Sequence, residues 1–181
     1  LAVNTLLLEL FTLFSYMNDG FAYAAEALTG RFIGARDGEA LRRCLRRCLL
    51  WGMLISGVFV VFYLAGWREL LGLFVDRDAP NAAQLVDMAG RYVVWVTVIP
   101  LASAMPFIMD GIMVGATETR VMRNSMFLAT AAYFGIFYAC SPLIGNNALW
   151  MAFTLYMALR GIFQYLMTHR LRTIREKALP R

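Results

Sequence analysis

Charged side chains make up only 16% of this sequence, against about 25% in an ordinary soluble domain. Hydrophobic residues make up 60% of its 181 positions, where a soluble domain has about 45–50%. A water-soluble fold of this size cannot hide that much apolar surface, so the solvent implied for most of the chain is lipid. Histidine occurs once, at His169, and cysteine three times, at Cys44, Cys48 and Cys140. An odd cysteine count in an apolar chain argues for reduced, structural thiols, and the single distant histidine leaves no ligand set for a metal. The sequence contains no zincin motif, nucleophile elbow or phosphate loop, which speaks against an enzyme. The net charge of +5 is clustered in a way that suits membrane topology, and no soluble basic fold that would bind nucleic acid is visible. The first residue is Leu1, with no basic n-region or cleavage site before the first apolar run. No signal peptide is expected, and the chain reads as part of a longer protein.

Against these shortages stand five apolar runs, each near the length of about 20 residues that a membrane helix needs. They fall at 2–29, 48–66, 92–116, 125–144 and 148–168. The expected fold class is therefore all-α, a polytopic membrane bundle of about five transmembrane helices. The connections alternate in charge. The first carries Arg31, Arg36, Arg42, Arg43, Arg46 and Arg47, the third Arg120 and Arg123, and the tail Arg170, Arg172, Arg175, Lys177 and Arg181. In the second, Arg68 and Arg77 are outnumbered by Glu69, Asp76, Asp78 and Asp87, and the fourth, Gly145–Asn147, is uncharged. The positive-inside rule places the basic connections and the carboxy terminus in the cytoplasm and the amino end outside. The second connection reads as an interfacial segment at Glu69–Val75, a polar turn at Asp78–Asn81 and a lead-in helix, with Trp67 and Tyr92 as interfacial anchors.

The first run contains acids. Thr5, Thr12, Asp19 and Glu26 recur every seven residues and share one face of a helix, with Ser15 one turn before Asp19. An ionisable group at mid-membrane costs roughly 2.5–3.5 kcal/mol and usually faces a bundle interior or a wet cavity. Asp19 and Glu26 are thus candidate ion-coupling or cavity residues, the alternatives being a structural hydrogen bond or, for Glu26, an interfacial place near Arg31. Glu9 lies off the stripe, near the outer boundary. Thr12, Ser15 and Tyr23 are candidate cavity-lining residues. In the third run Pro100 and Pro106 interrupt the helix, and Asp110 follows Pro106 by one turn. Pro100, Pro106 and Gly111 are candidate hinge residues. Met113 and Thr117 continue the Asp110 face and Met105 and Met109 lie beside it, so that Met109 and Met113 are either a flexible cavity lining or plain helix contact. Arg160, inside the fifth run, either extends to the interface or pairs with Glu26 or Asp110. Because desolvation disfavours a charged carboxylate, acids in this setting are candidate exchange sites for protons, metal cations or cationic substrates.

Three stretches carry a family resemblance. Asp19–Arg43, "DGFAYAAEALTGRFIGARDGEALRR", ends a small-residue helix in a G-x-x-x-G-A-(R/K)-D turn. Leu70–Trp95 has an L-x-x-L-F stretch, an acidic turn and an A-x-x-Y lead-in, and Asp110–Met126 ends a helix with G-x-(G/T)-x-T-R. In this order and spacing they resemble the multidrug and toxic compound extrusion (MATE) transporters. The pairing of Asp19-Gly20 with Asp110-Gly111, Gly115-Ala116-Thr117 and Arg123-Asn124 resembles the DNA-damage-inducible F (DinF) branch. The resemblance implies a twelve-helix transporter of two six-helix lobes, of which residues 1–181 would be helices eight to twelve, most of the carboxy-terminal lobe. The amino-terminal lobe and its first-helix acid, and the seventh-helix acid of sodium-coupled members, would lie outside this chain, while Asp110 would sit on the tenth helix.

The activity so implied is secondary antiport: export of amphipathic, often cationic organic compounds in exchange for protons or sodium, with no other cofactor. The implied partners are the bilayer, the amino-terminal lobe and small organic cations, in a bacterial cytoplasmic (inner) membrane. Two other functions are open. A lipid-linked oligosaccharide flippase of the same superfamily would share the layout, but a pyrophosphate-handling cavity calls for more cations than the one intramembrane arginine. A passive membrane scaffold would not need an acidic stripe. Asp19-Gly20 also begins like the D-G-x-x-A-R motif of phospholipid-making phosphotransferases, but Phe21-Ala22-Tyr23-Ala24 follows, without the arginine.

Overall fold

The structure, a computed structural model, describes residues 1–75 and 82–171, which form six helices and no strand. These are α1 (Ala2–Gly34), α2 (Gly38–Phe74), α3 (Ala82–Gly90), α4 (Val93–Gly115), α5 (Thr119–Ile144) and α6 (Asn146–Leu171). By length and composition α2, α4 and α5 are apolar enough to cross a membrane. The sequence points to five such runs. The other two fall in α1 and α6, which have the length but carry polar side chains such as Asn18, Asp19, Glu26, Arg160 and Gln164. The expected turn at Asp78–Asn81 and the charged tail from Arg172 lie outside the described residues.

Two turns at the arginine-rich end share one construction. α1 ends in Gly34-Ala35-Arg36-Asp37 and α4 in Gly115-Ala116-Thr117-Glu118. In each, the third residue takes a left-handed backbone, Arg36 at φ 54° and Thr117 at φ 58°. The amide after it reaches back to the last helical turn, Asp37 N–H to the Phe32 carbonyl at 3.1 Å and Glu118 N–H to the Met113 carbonyl at 2.8 Å. This closes the orphan carbonyls of a helix end. Asp37 then caps α2, accepting from the Ala40 amide at 2.8 Å. The opposite end is closed by Gly145, whose φ of 54° suits a residue without Cβ. Behind it, Asn4 and Asn146 exchange amide hydrogen bonds at 2.8 and 2.9 Å, and Trp150 Nε1 donates to Asn4 Oδ1 at 3.0 Å. Trp95 Nε1 donates to Asn147 Oδ1 at 3.0 Å. Asn4→Leu would strand Asn146 and the Trp150 indole together; an unsatisfied buried group costs about 1–3 kcal/mol, so the thermal midpoint of the full-length protein in detergent is expected to fall by several degrees. An unchanged midpoint would mean that this knot contributes nothing.

α4 is the central helix and packs against α1, α2 and α6, whereas α5 packs mainly on α6. Apolar residues fill two layers. The layer near the Asn4 knot contains Leu7, Leu10, Phe14, Tyr63, Ile99 and Trp150; the one near the arginines contains Ala25, Leu41, Ile108, Ile112, Met113 and Val121. Tyr63 satisfies its hydroxyl by donating to the Leu10 carbonyl. α2 runs on past Gly66, the end of the second apolar run, with one non-helical residue there (φ −136°, ψ 26°). The glycine absorbs the bend and the following turns carry Leu70 and Leu71 back into the first layer. The outward sides of α2 and α5 expose large apolar residues such as Val61, Leu64, Phe127 and Leu143, as a lipid-facing surface would.

Candidate functional site

Helix crossing sets the geometry. Gly111 and Gly115, four apart on α4, meet the backbone of α1: a Cβ at Gly111 would collide with the Ala22 carbonyl, and one at Gly115 with the Glu26 carbonyl. From α1, a Cβ on Gly30 would lie 3.5 Å from the Gly115 carbonyl oxygen. The matched order of these contacts means that α1 and α4 run parallel. Small residues four apart let membrane helices approach this closely. On the other side of α4, a Cβ at Gly161 of α6 would lie 2.9 Å from Pro106 Cδ. These contacts bring Asp19 of α1, Asp110 of α4, and Arg160 and Gln164 of α6 close together, at the start of the second apolar layer.

Arg160 Nη2 donates to Asp110 Oδ2, forming an ion pair whose side chains are 14% and 23% exposed. Gln164 Nε2 donates to the other carboxylate oxygen, Oδ1, at 2.6 Å. Both Asp110 oxygens are therefore engaged from α6. Asp19 is half-buried, lies within electrostatic reach of Asp110, and makes no hydrogen bond or ion pair among the described residues. Two acids against one arginine leave a formal charge of −1 when all are ionised. Around them, Arg160 Nε and Gln164 Oε1 are buried without a partner, as are both amide atoms of Asn18. Unpaired buried polar atoms are uncommon in native proteins, and two of them belong to the side chains that hold Asp110.

The remaining candidate residues separate. Arg160 meets Asp110, not Glu26, which is half-buried one turn nearer the arginines. Thr12 and Ser15 are half-buried, two turns and one turn before Asp19 on α1, with Ser15 Oγ donating to the Thr12 carbonyl at 2.9 Å, while Tyr23 is exposed. Met109 and Met113 are packed into the apolar layer, and Met113 Sδ accepts from Thr168 Oγ1 at 3.7 Å. α4 runs unbroken through Pro100 and Pro106, and Gly111 serves as a crossing point with α1. Among the described residues no three His, Cys, Asp or Glu side chains group as for a metal ion. Sequence reasoning passed over Gln164 and Asn18. The signal for Gln164 was available: it lies four residues after Arg160 inside an apolar run, hence on the same helical face.

The MatE family model matches residues 1–141. The chain is 37% identical over 162 residues to DNA damage-inducible protein F of Escherichia coli, covering 90% of this chain and 34% of that protein. It is 28% identical to a probable multidrug resistance protein NorM of Rhizobium meliloti (77% of this chain, 30% of the relative) and 23% identical to Protein DETOXIFICATION 43 of Arabidopsis thaliana (90% and 30%). The chain thus spans about a third of the length of these relatives. No solved structure matches it. With its glycine-ended helices in the order the motifs require and the family model covering most of its length, the chain belongs to the MatE family, the multidrug and toxic compound extrusion family that its sequence resembles.

Proposed function

We propose that this chain is most of the carboxy-terminal lobe, helices eight to twelve of twelve, of a secondary antiporter. The transporter exports amphipathic organic cations in exchange for protons or sodium across a bacterial cytoplasmic membrane. Its carboxy terminus is cytoplasmic, following the charge of the connections. Relatives named for multidrug resistance and detoxification support transport over enzyme chemistry. The observation that carries the reading is the Asp19–Asp110–Arg160 cluster with its formal charge of −1. One proton or one monovalent cation neutralises it. Arg160 acts as a tethered cation on Asp110, and an arriving cation competes with it for the carboxylate. The net negative charge favours cationic cargo over a pyrophosphate-linked one. The amino-terminal lobe supplies the other wall of the passage.

The test uses the full-length protein in proteoliposomes loaded with ethidium. Efflux is expected to accelerate when either a proton or a sodium gradient opposes it, and one of the two suffices. Efflux indifferent to both gradients would overturn the antiport reading.

A further inference from the structure

On the arginine-rich side of the charged cluster, α1 and α2 border a cleft of about 400 Å³. Phe21 and Leu28 of α1 and Trp51 of α2 give it apolar walls, and Arg43 and Arg47 stand on its rim. The two arginines are one helical turn apart and so project from the same face of α2. Trp51 follows Arg47 by a further turn, toward the apolar part of the helix. The cleft therefore has one cationic end and one apolar length. Arg43 is 63% exposed and paired with Glu39 at 3.1 Å, while Glu39 is 80% exposed; such a pair is weak in solvent and screened by salt. Arg47 forms no ion pair among the described residues. Between 31 and 47 the sequence has six arginines and two acids, Asp37 and Glu39, and the Asp37 carboxylate is taken up in capping α2.

We infer that this cleft holds an anionic phospholipid, its phosphate between Arg43 and Arg47 and an acyl chain along Phe21, Leu28 and Trp51. Charge complementarity selects the headgroup. Two guanidinium groups can each give a phosphate charge-assisted hydrogen bonds, which an ammonium cannot match in geometry. The apolar walls select a lipid over a free anion, since an acyl chain packs along them and an inorganic ion cannot. Basic pockets between helices at a membrane surface bind lipid headgroups on the same principle. The lipid would fill the gap between α1 and α2 and so brace the helix that carries Asp19.

The test titrates detergent-purified full-length protein with phosphatidylglycerol and with phosphatidylcholine and counts bound lipid by native mass spectrometry. Phosphatidylglycerol is expected to bind saturably and about tenfold or more tighter than phosphatidylcholine, and Arg43→Gln/Arg47→Gln should erase that preference. Arg42→Gln/Arg46→Gln removes the same charge from residues off the cleft and should leave the preference within about threefold. Ala24→Trp, on an exposed lining position, should weaken binding of both lipids without altering charge. Equal losses in the two arginine doubles would mean diffuse attraction to a basic surface and would overturn the site. So would the absence of a preference in the unmodified protein, full binding in Ala24→Trp, or displacement of the lipid by millimolar inorganic phosphate.

Discussion

Asp110→Asn in the full-length protein is expected to abolish cation-coupled export while leaving the protein inserted and folded. Asparagine keeps the shape of the side chain: its one oxygen can still accept from Arg160, and its amide N–H2 can donate to Gln164 once that amide turns its oxygen inward. It cannot carry the charge for which a proton or cation competes. Asp110→Ala should behave differently. It leaves the Arg160 guanidinium, 14% exposed, with neither a counter-ion nor a hydrogen-bond acceptor in its place. Breaking a buried pair by removing one partner costs about 3–5 kcal/mol. Adding Arg160→Leu to Asp110→Ala should return most of that stability, because a buried pair replaced by apolar groups is often neutral. Export should not return. Thermal unfolding in detergent and dye efflux, measured on the same preparations, separate the two effects. If the double variant transports, Asp110 is a structural partner of Arg160 and no more. If Asp110→Asn transports normally at equal expression, the exchange site lies elsewhere.

The second large effect concerns backbone contact. Gly111→Val and Gly115→Val each place a Cβ into a carbonyl of α1, and carbonyls cannot rotate away as a side-chain tip can. The helices must separate, which loses packing along the crossing and pulls Asp19 from the level of Asp110. Overpacking costs typically about 1–3 kcal/mol per site, so the pair together should bring the protein close to unfolding at growth temperature. The expected outcome is loss of full-length protein from the membrane fraction for Gly111→Val/Gly115→Val. Gly20→Ala and Gly135→Ala serve as controls, since a Cβ at either meets nothing within 4 Å, and both should accumulate normally. Normal accumulation of the double valine variant would show that α1 and α4 do not cross here.

The comparison of glycines shows where sequence stops being informative. Gly111, Gly115, Gly135 and Gly161 look equivalent in apolar runs, where glycine is common. Three are sites of close approach and Gly135 is not. The difference lies in the neighbouring helix, which sequence spacing does not name. Arg160 makes the same point. Its inferred depth narrows its partners to Glu26 and Asp110, and the Pro106–Gly161 contact brings it to Asp110. Met109 and Met113, open in the sequence to cavity lining or plain helix contact, are packed in the layer with Ala25, Leu41 and Ile112.

The sequence by itself determined the all-α class, the alternation of basic and non-basic connections, and the presence of acids that must turn away from lipid. Each of these follows from local chemistry: hydropathy over a window, the charge of a connection, the cost of a charge in lipid. Only the tertiary structure decided that Asp110 is held by Arg160 and Gln164, that Asp19 stands beside them without a hydrogen bond, and that α1 and α4 run parallel through Gly111 and Gly115. Periodicity states which residues share a face of one helix. Which helix meets that face, and at what height, depends on contacts between segments far apart in the chain.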